Sequence, residues 1–313
     1  MARGSEDHAG IRTRHPVPTD LAGERADKIV AVVTGLSRAA ARGLIDTGLV
    51  TVQGRAVDPK HRLAEGVELD VEMPPVRRLQ PEDIPLVVAY EDDQVAVVDK
   101  PPGMVVHPGA GRATGTLAAG LLARWPDLEG VGQIDRWGIV HRLDKEVSGL
   151  LVVALTDHAY GALIEALARR TVIREYQTLV WGAFDGSTGT IDAPIGRDPR
   201  APARMATRAE GRFSRTHYRR TAYWSSAGLS MLEVSLETGR THQIRVHLSS
   251  IEHPVVGDRV YGRPGPPGVD PQRVWLHAAH LEFDHPVTDE RISVDSPLPK
   301  DLRESLSALG PPD

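Results

Sequence analysis

A chain of 313 residues has room for one large domain and a small one, and 41% hydrophobic with 25% charged residues is the composition of an ordinary globular protein. The lack of cysteine excludes disulfides, thiolate zinc sites and cysteine nucleophiles, and agrees with a reducing cytoplasm. The net charge of −5 offers RNA no general attraction, so any such role must rest on local charge.

Residues 1–18 are polar and lack the apolar core of a signal peptide, and no run approaches the roughly 20 apolar residues that span a bilayer. A cytoplasmic protein without membrane contact is expected. Charge, Pro and Gly mark residues 1–19 as a disordered tail. Residues 20–76 form a compact unit. Ile29, Val32 and Val33 give a first helix its spacing. Ser37 is a good N-cap for a second helix, Arg38 to Thr47, which ends at Gly48. Leu49 to Val52 and Val67 to Val71 read as strands, with Gln53-Gly54 as a tight turn. Arg38 and Arg42 are four apart and share a helix face. Pro74, Pro75, Pro81 and Pro85 signal a linker, placed at 77–88.

From 89 to 303 strand and helix patterns alternate, followed by a tail at 304–313. Strands are expected at Val95–Val98, Gly149–Ala154, Tyr176–Trp181, Met231–Leu236 and Leu276–Phe283. Asp157 would cap a helix to about Arg170, with Tyr160, Leu163, Ile164 and Leu167 on one face. Thr241 would cap another, to Ile251, with Ile244, Leu248 and Ile251 aligned and Arg245 opposite them. Many strands and few helices indicate an α+β domain on a large sheet. Between Arg197 and Arg220 lie eight arginines and only two acids, a local +6 that includes Arg204 and Arg208. Arginine without lysine suits phosphate forks and base stacking.

Four clusters carry candidate chemistry. His141-Arg142-Leu143-Asp144-Lys145-Glu146 sits directly before the apolar run at 149–154, where a rigid scaffold positions charged groups. Arg142 and Lys145 would keep Asp144 ionised, ready to act as base, nucleophile or electrostatic stabiliser; a salt-bridged surface turn is the alternative. Thr238 through Leu248 contains Arg240 and Arg245. Arg174-Glu175-Tyr176 opens a strand, and Tyr176 either packs in the core or offers a flat face to a base. Lys100-Pro101-Pro102-Gly103 leads through a turn to His107-Pro108. The spacings His242–His247 and His277–His280 put no histidine pair on one face, and there is no Walker loop or GxGxxG after a strand. No metal and no cofactor are expected.

In order and spacing these clusters resemble RNA pseudouridine synthases of the kind that modify large-subunit ribosomal RNA, most like the D type, from about residue 20 to 303. The matching blocks are Glu91-Asp92 with Lys100 to Pro108, Gly138 to Lys145, Glu175-Tyr176, Thr216-x-Tyr218, Thr238 to Leu248, His253 to Asp258, Tyr261-Gly262 and Leu276 to Ala278. The stretch Arg25…Leu36-Ser37-Arg38…Gly48-Leu49-Val50-Thr51-Val52-x-Gly54 resembles the α-L RNA-binding module, with Gln53 where Asn is usual. The resemblance implies a large, mixed, mostly antiparallel sheet with flanking helices and a small N-terminal α/β RNA-binding domain. Asp144 would be the catalytic aspartate, Tyr176 would contact the target base and Arg245 would pair with Asp144. Arg142 would fill the gap left by a flipped uridine. His141, Arg240, Lys100 and His107 would line the substrate site, while Arg38, Arg42, Arg204 and Arg208 would bind RNA. Val147 departs from the family's usual Thr. The implied reaction breaks the bond from ribose C1′ to uracil N1 and rejoins the base through C5, needing neither metal nor cofactor. Whether Asp144 attacks C1′ or removes a ribose proton stays open. A monomer with RNA as its partner is expected.

Overall fold

The computed structural model describes residues 11–36, 38–73, 79–109, 114–133 and 136–313. The chain divides into two compact units, Met1–Arg78 and Leu79–Asp313.

In the first unit a four-stranded sheet in the order β1-β4-β2-β3 packs against two helices. The strands are β1 (Ile11–Pro16), β2 (Val50–Val52), β3 (Arg55–Ala56) and β4 (Glu68–Met73), and the helices α1 (Ala26–Thr34) and α2 (Arg38–Asp46). Ile29, Val30, Ala41, Ile45, Val50, Leu69 and Val71 form its core. Gln53 and Gly54 both take positive φ, 50° and 73°, the backbone a two-residue hairpin turn requires. The proposed N-cap Ser37 lies outside the described residues. The expected disordered tail needs correction, because residues 11–16 pair with β4 in antiparallel register from Ile11↔Met73 to Pro16↔Glu68. Arg12–Glu72 and Arg14–Asp70 ion pairs lie across the two strands at 2.7 and 2.8 Å. A charged edge strand ending in Pro has the composition of a tail, and its partner acids are almost sixty residues away.

The second unit is built on a nine-stranded sheet in the order β5-β6-β7-β14-β8-β13-β12-β9, with β15 on β14. Its strands are β5 (Val87–Glu91), β6 (Val95–Lys100), β7 (Ser148–Ala154), β8 (Ile173–Trp181), β9 (Thr188–Asp192), β12 (Arg215–Trp224), β13 (Leu229–Leu236), β14 (Leu276–Asp284) and β15 (Arg291–Asp295). A separate hairpin joins β10 (Ile195–Arg197) to β11 (Met205–Thr207). The helices are α3 (Leu117–Arg124), α4 (Asp157–Arg169), α5 (Gln243–Ser250) and α6 (Lys300–Ser307). Pairing is antiparallel except between β7 and β14. All of β7 is buried, as its unbroken apolar run requires.

Both ends of this unit extend further than the sequence suggests. Leu79 is buried, and Ile84 and Leu86 pack against Gly120 of α3, where even a Cβ would stand 3.2 Å from Ile84. These residues therefore belong to the core and are no linker. At the other end α6 buries Leu302, and Ser305 accepts a hydrogen bond from the Trp275 indole. The Gly310 carbonyl accepts one from Trp224, so residues 304–313 are packed chain. Thr156, not Asp157, caps α4; Asp157 accepts the Gly132 amide, and Ile164 is exposed. Thr241 caps nothing. His242 precedes α5 in the left-handed region at φ 57°.

Candidate active site

The loop His141–Val147 runs into β7, and buried Leu143 and Val147 anchor it in the main core. Val147 thus packs among apolar side chains at the position where the resemblance usually has Thr. Gly149 fixes where the strand lies. At φ 114° it sits so close to β14 that a Cβ would be 2.2 Å from the Ala278 carbonyl oxygen. Two buried basic side chains hold the loop's backbone. Lys100 Nζ donates to the carbonyls of Pro101, Met104 and Lys145 at 2.9, 3.0 and 3.3 Å. Arg273 donates to the Glu146 carbonyl at 3.2 Å and to the Ser148 hydroxyl at 3.2 Å, and pairs with Asp301.

Asp144 faces a cavity of about 480 Å³. Its Oδ2 accepts from Arg245 Nη1 at 3.1 Å, and His242 Nε2 lies 3.9 Å away. The guanidinium is forked on its other side by Asp258, through Nε at 2.7 Å and Nη2 at 3.0 Å. Asp258 is fully buried and also accepts the amides of Val260 and Tyr261 at 2.9 and 3.0 Å. Burial pushes the Asp258 carboxyl up, but the Arg245 fork and these amides outweigh it and hold the group below the usual carboxylate range. The Tyr261 ring packs against the Arg245 guanidinium, 5.1 Å from its centroid, and its hydroxyl lies 2.8 Å from His242 Nδ1. Burial lowers the His242 pKa while Asp144 opposes the shift. Arg245, buried like every residue from Gln243 to Leu248 of α5 rather than on a free face, is therefore shared by two carboxylates, only one of which reaches the cavity.

Strand β8 alternates, so Arg174, Tyr176 and Thr178 point to the same buried face. Tyr176 is 6% exposed and lines the cavity, its hydroxyl pKa raised by burial. Arg142 lies exposed at the rim. His107, His141 and Arg240 complete the set of expected residues on this wall. Burial, with Arg142 and Arg136 nearby, lowers His107 to about 4, and its Nδ1 has no partner among the described residues. Burial lowers His141 to about 3; its Nε2 accepts the Val152 amide, so it is neutral with its proton on Nδ1.

One partly exposed carboxylate poised by a buried arginine, an aromatic partner and a mouth lined with arginines suit a flipped base. The family described as RNA pseudouridylate synthase matches residues 94–250. A ribosomal large subunit pseudouridine synthase D of Xanthomonas campestris is 44% identical over 94% of this chain and 91% of its own. The chain belongs to the RNA pseudouridine synthase family. An uncharacterized RNA pseudouridine synthase of Bacillus subtilis, YlyB, is 41% identical over 91% of this chain and 94% of its own. Human RNA pseudouridylate synthase domain containing 1 superposes with a TM-score of 0.55 at 29% identity, covering 74% of this chain and 98% of that one.

Not every residue picked for this synthase reaches the cavity. Lys100 is 0% exposed, and its three carbonyl acceptors make it a brace of the catalytic loop rather than a contact for substrate. Burial takes its pKa from the usual 10.5 to about 7. Between those values the unfolded chain holds the proton and the folded chain does not, so this group's contribution to stability rises with pH. Lys100→Met should remove up to about 1.4 kcal/mol per pH unit of that rise, measured by urea unfolding from pH 7 to 9. Identical pH slopes in the two proteins would sink the assignment.

Arg38 is held by Asp27 at 3.0 Å, and Arg42 lies 3.4 Å from Asp46, both within the first unit. Arg204 does not line the cavity; its guanidinium packs on the Tyr261 ring, 5.2 Å from the centroid. Arg208 donates to the Arg197 carbonyl and to Glu210. Asp258, Tyr261, His242 and Arg174 were given no role from sequence. The signal for the first two is the turn Gly257-Asp258-x-x-Tyr261, in which an aspartate binds the amides two and three residues on. Among the described residues no group of three or more His, Asp or Glu could hold a metal, and no helix is long and apolar enough to cross a membrane.

Proposed function

We propose that this synthase isomerises specific uridines of large-subunit ribosomal RNA, with Asp144 as the carboxylate that acts on the flipped nucleotide. The observation that carries this reading is the placement of Asp144 at the cavity, fixed by an arginine that Asp258 already neutralises. The relative in Xanthomonas campestris named for the ribosomal large subunit supports the choice of RNA. Glycosidic cleavage at C1′–N1 and re-formation at C1′–C5 is balanced within the nucleotide, since N1 gains a proton and C5 loses one. A single carboxylate thus suffices where glycosidases need two. Tyr176 meets the base, and Arg142 at the rim takes the place it vacates, offsetting the few kcal/mol of unstacking. The N-terminal unit supplies a second contact with RNA through α2.

Pseudouridine mapping in a deletion strain, with and without a copy of this chain, decides the substrate. Sites lost from large-subunit rRNA and restored by the copy support the reading; losses confined to transfer RNA would overturn it. Arginine contacts also predict an affinity that falls steeply with salt, by about 10-fold or more between 50 and 200 mM. Binding that does not change over that range would contradict the assignment of Arg204 and Arg208 to RNA.

A further inference from the structure

Arg174 is a buried cation with little to hold it. It is 6% exposed, its Nη2 donates to the Leu236 carbonyl at 3.3 Å, and its Nε has no acceptor. Among the described residues no carboxylate pairs with it. Burial pushes its pKa down, but a guanidinium keeps its proton, so the charge stays in a place that disfavours it. Gly239 marks how tightly it lies against the 238–240 loop, since a Cβ there would be 2.9 Å from Nη1. Arg240 on that loop is half-buried, donates Nε to the Phe213 carbonyl, and likewise lacks an acidic partner. Both arginines line the cavity that holds Asp144 and Tyr176. Their neighbour Arg170 differs, because Glu237 neutralises it at 2.6 Å.

We propose that Arg174 and Arg240 form a phosphate subsite that binds the backbone phosphodiester next to the flipped uridine. The inference rests on the reading of this cavity as an RNA site and adds the part of the substrate that this wing takes. A guanidinium is a strong donor to a phosphodiester, and Arg174 brings to the cavity wall a positive charge that no carboxylate among the described residues neutralises. Tyr176 follows Arg174 by two residues on one face of β8, so a base at Tyr176 brings its backbone towards Arg174. The phosphate offsets the buried charge of Arg174 and holds the nucleotide in its flipped position beside Asp144.

The test measures the affinity of an unmodified large-subunit rRNA transcript against salt, in an Asp144→Asn background that binds without turnover. Each arginine lost from a phosphate contact should lower the slope of log affinity against log salt by about 0.7. Arg174→Gln and Arg240→Gln should each show that loss and the double variant twice it, whereas Arg174→Lys keeps the slope. A purely structural arginine would change stability and leave the slope alone. Unchanged slopes in both glutamine variants overturn the proposal. If Arg174→Gln fails to fold, Arg240→Gln decides, and an unchanged slope there overturns it. Conversion of uridine by the wild-type protein is followed separately. Slopes that fall without conversion would refute the reaction on this RNA and leave the phosphate site standing.

Discussion

Asp144→Asn should abolish pseudouridine formation, by at least about 10³-fold, while the protein stays folded and still binds RNA. The asparagine oxygen can still accept from Arg245 Nη1, and Asp258 keeps its fork on the same guanidinium. What disappears is the negative charge at the cavity, which is needed whether the carboxylate attacks C1′ or takes a ribose proton. Single-turnover assays on an unmodified rRNA transcript, with thermal unfolding alongside, separate the two effects. A variant with near wild-type turnover would remove Asp144 from the chemistry.

Asp258→Ala should cost about 3–5 kcal/mol of stability, because it removes the two-bond fork from a buried guanidinium and frees two backbone amides. It should also reduce turnover, since Arg245 would then draw Asp144 inward as its sole counter-ion. Asp258→Asn keeps an acceptor and should lie between Ala and wild type. The carboxyl titrates below its ordinary range when folded, so its stabilisation is present above the ordinary value and is lost as pH falls through the lowered one. Urea unfolding at pH 7 and at pH 3 to 4 tests both statements. An Asp258→Ala protein within about 1 kcal/mol of wild type would show that the fork does not stabilise the fold.

What could be read from sequence, and what could not, follows from how far apart the interacting residues lie. The run Gly149 to Ala154 announces β7 because a strand buried on both faces has no polar alternation. The helices and hairpin of the first unit are local, closed by Gly35, Gly48 and Gln53-Gly54, and were legible for that reason. Strand β1 was not, because its arginines find their acids only across the sheet. Asp144, Tyr176 and Arg245 could be chosen by their place in an ordered set of motifs, and the structure brings them to one cavity. Lys100 belongs to the same motif set, yet its amine is turned inward to backbone carbonyls. Residue type and spacing do not reveal that direction. The role of Asp258 was hidden for the opposite reason, since a carboxylate in a turn looks like any other until its arginine is known.

The close contact of β7 with β14 has a consequence for folding. Ser148 bonds His277 across a separation of 129 residues, and Gly149 pairs with Ala278 in the sheet's parallel step. Closing so long a loop is slow and comes with the whole sheet rather than before it. The catalytic loop thus has no early, locally folded form. In refolding, turnover should return in step with the last phase of sheet formation, and a folding intermediate that lacks β14 should be inert towards RNA even with its helices in place.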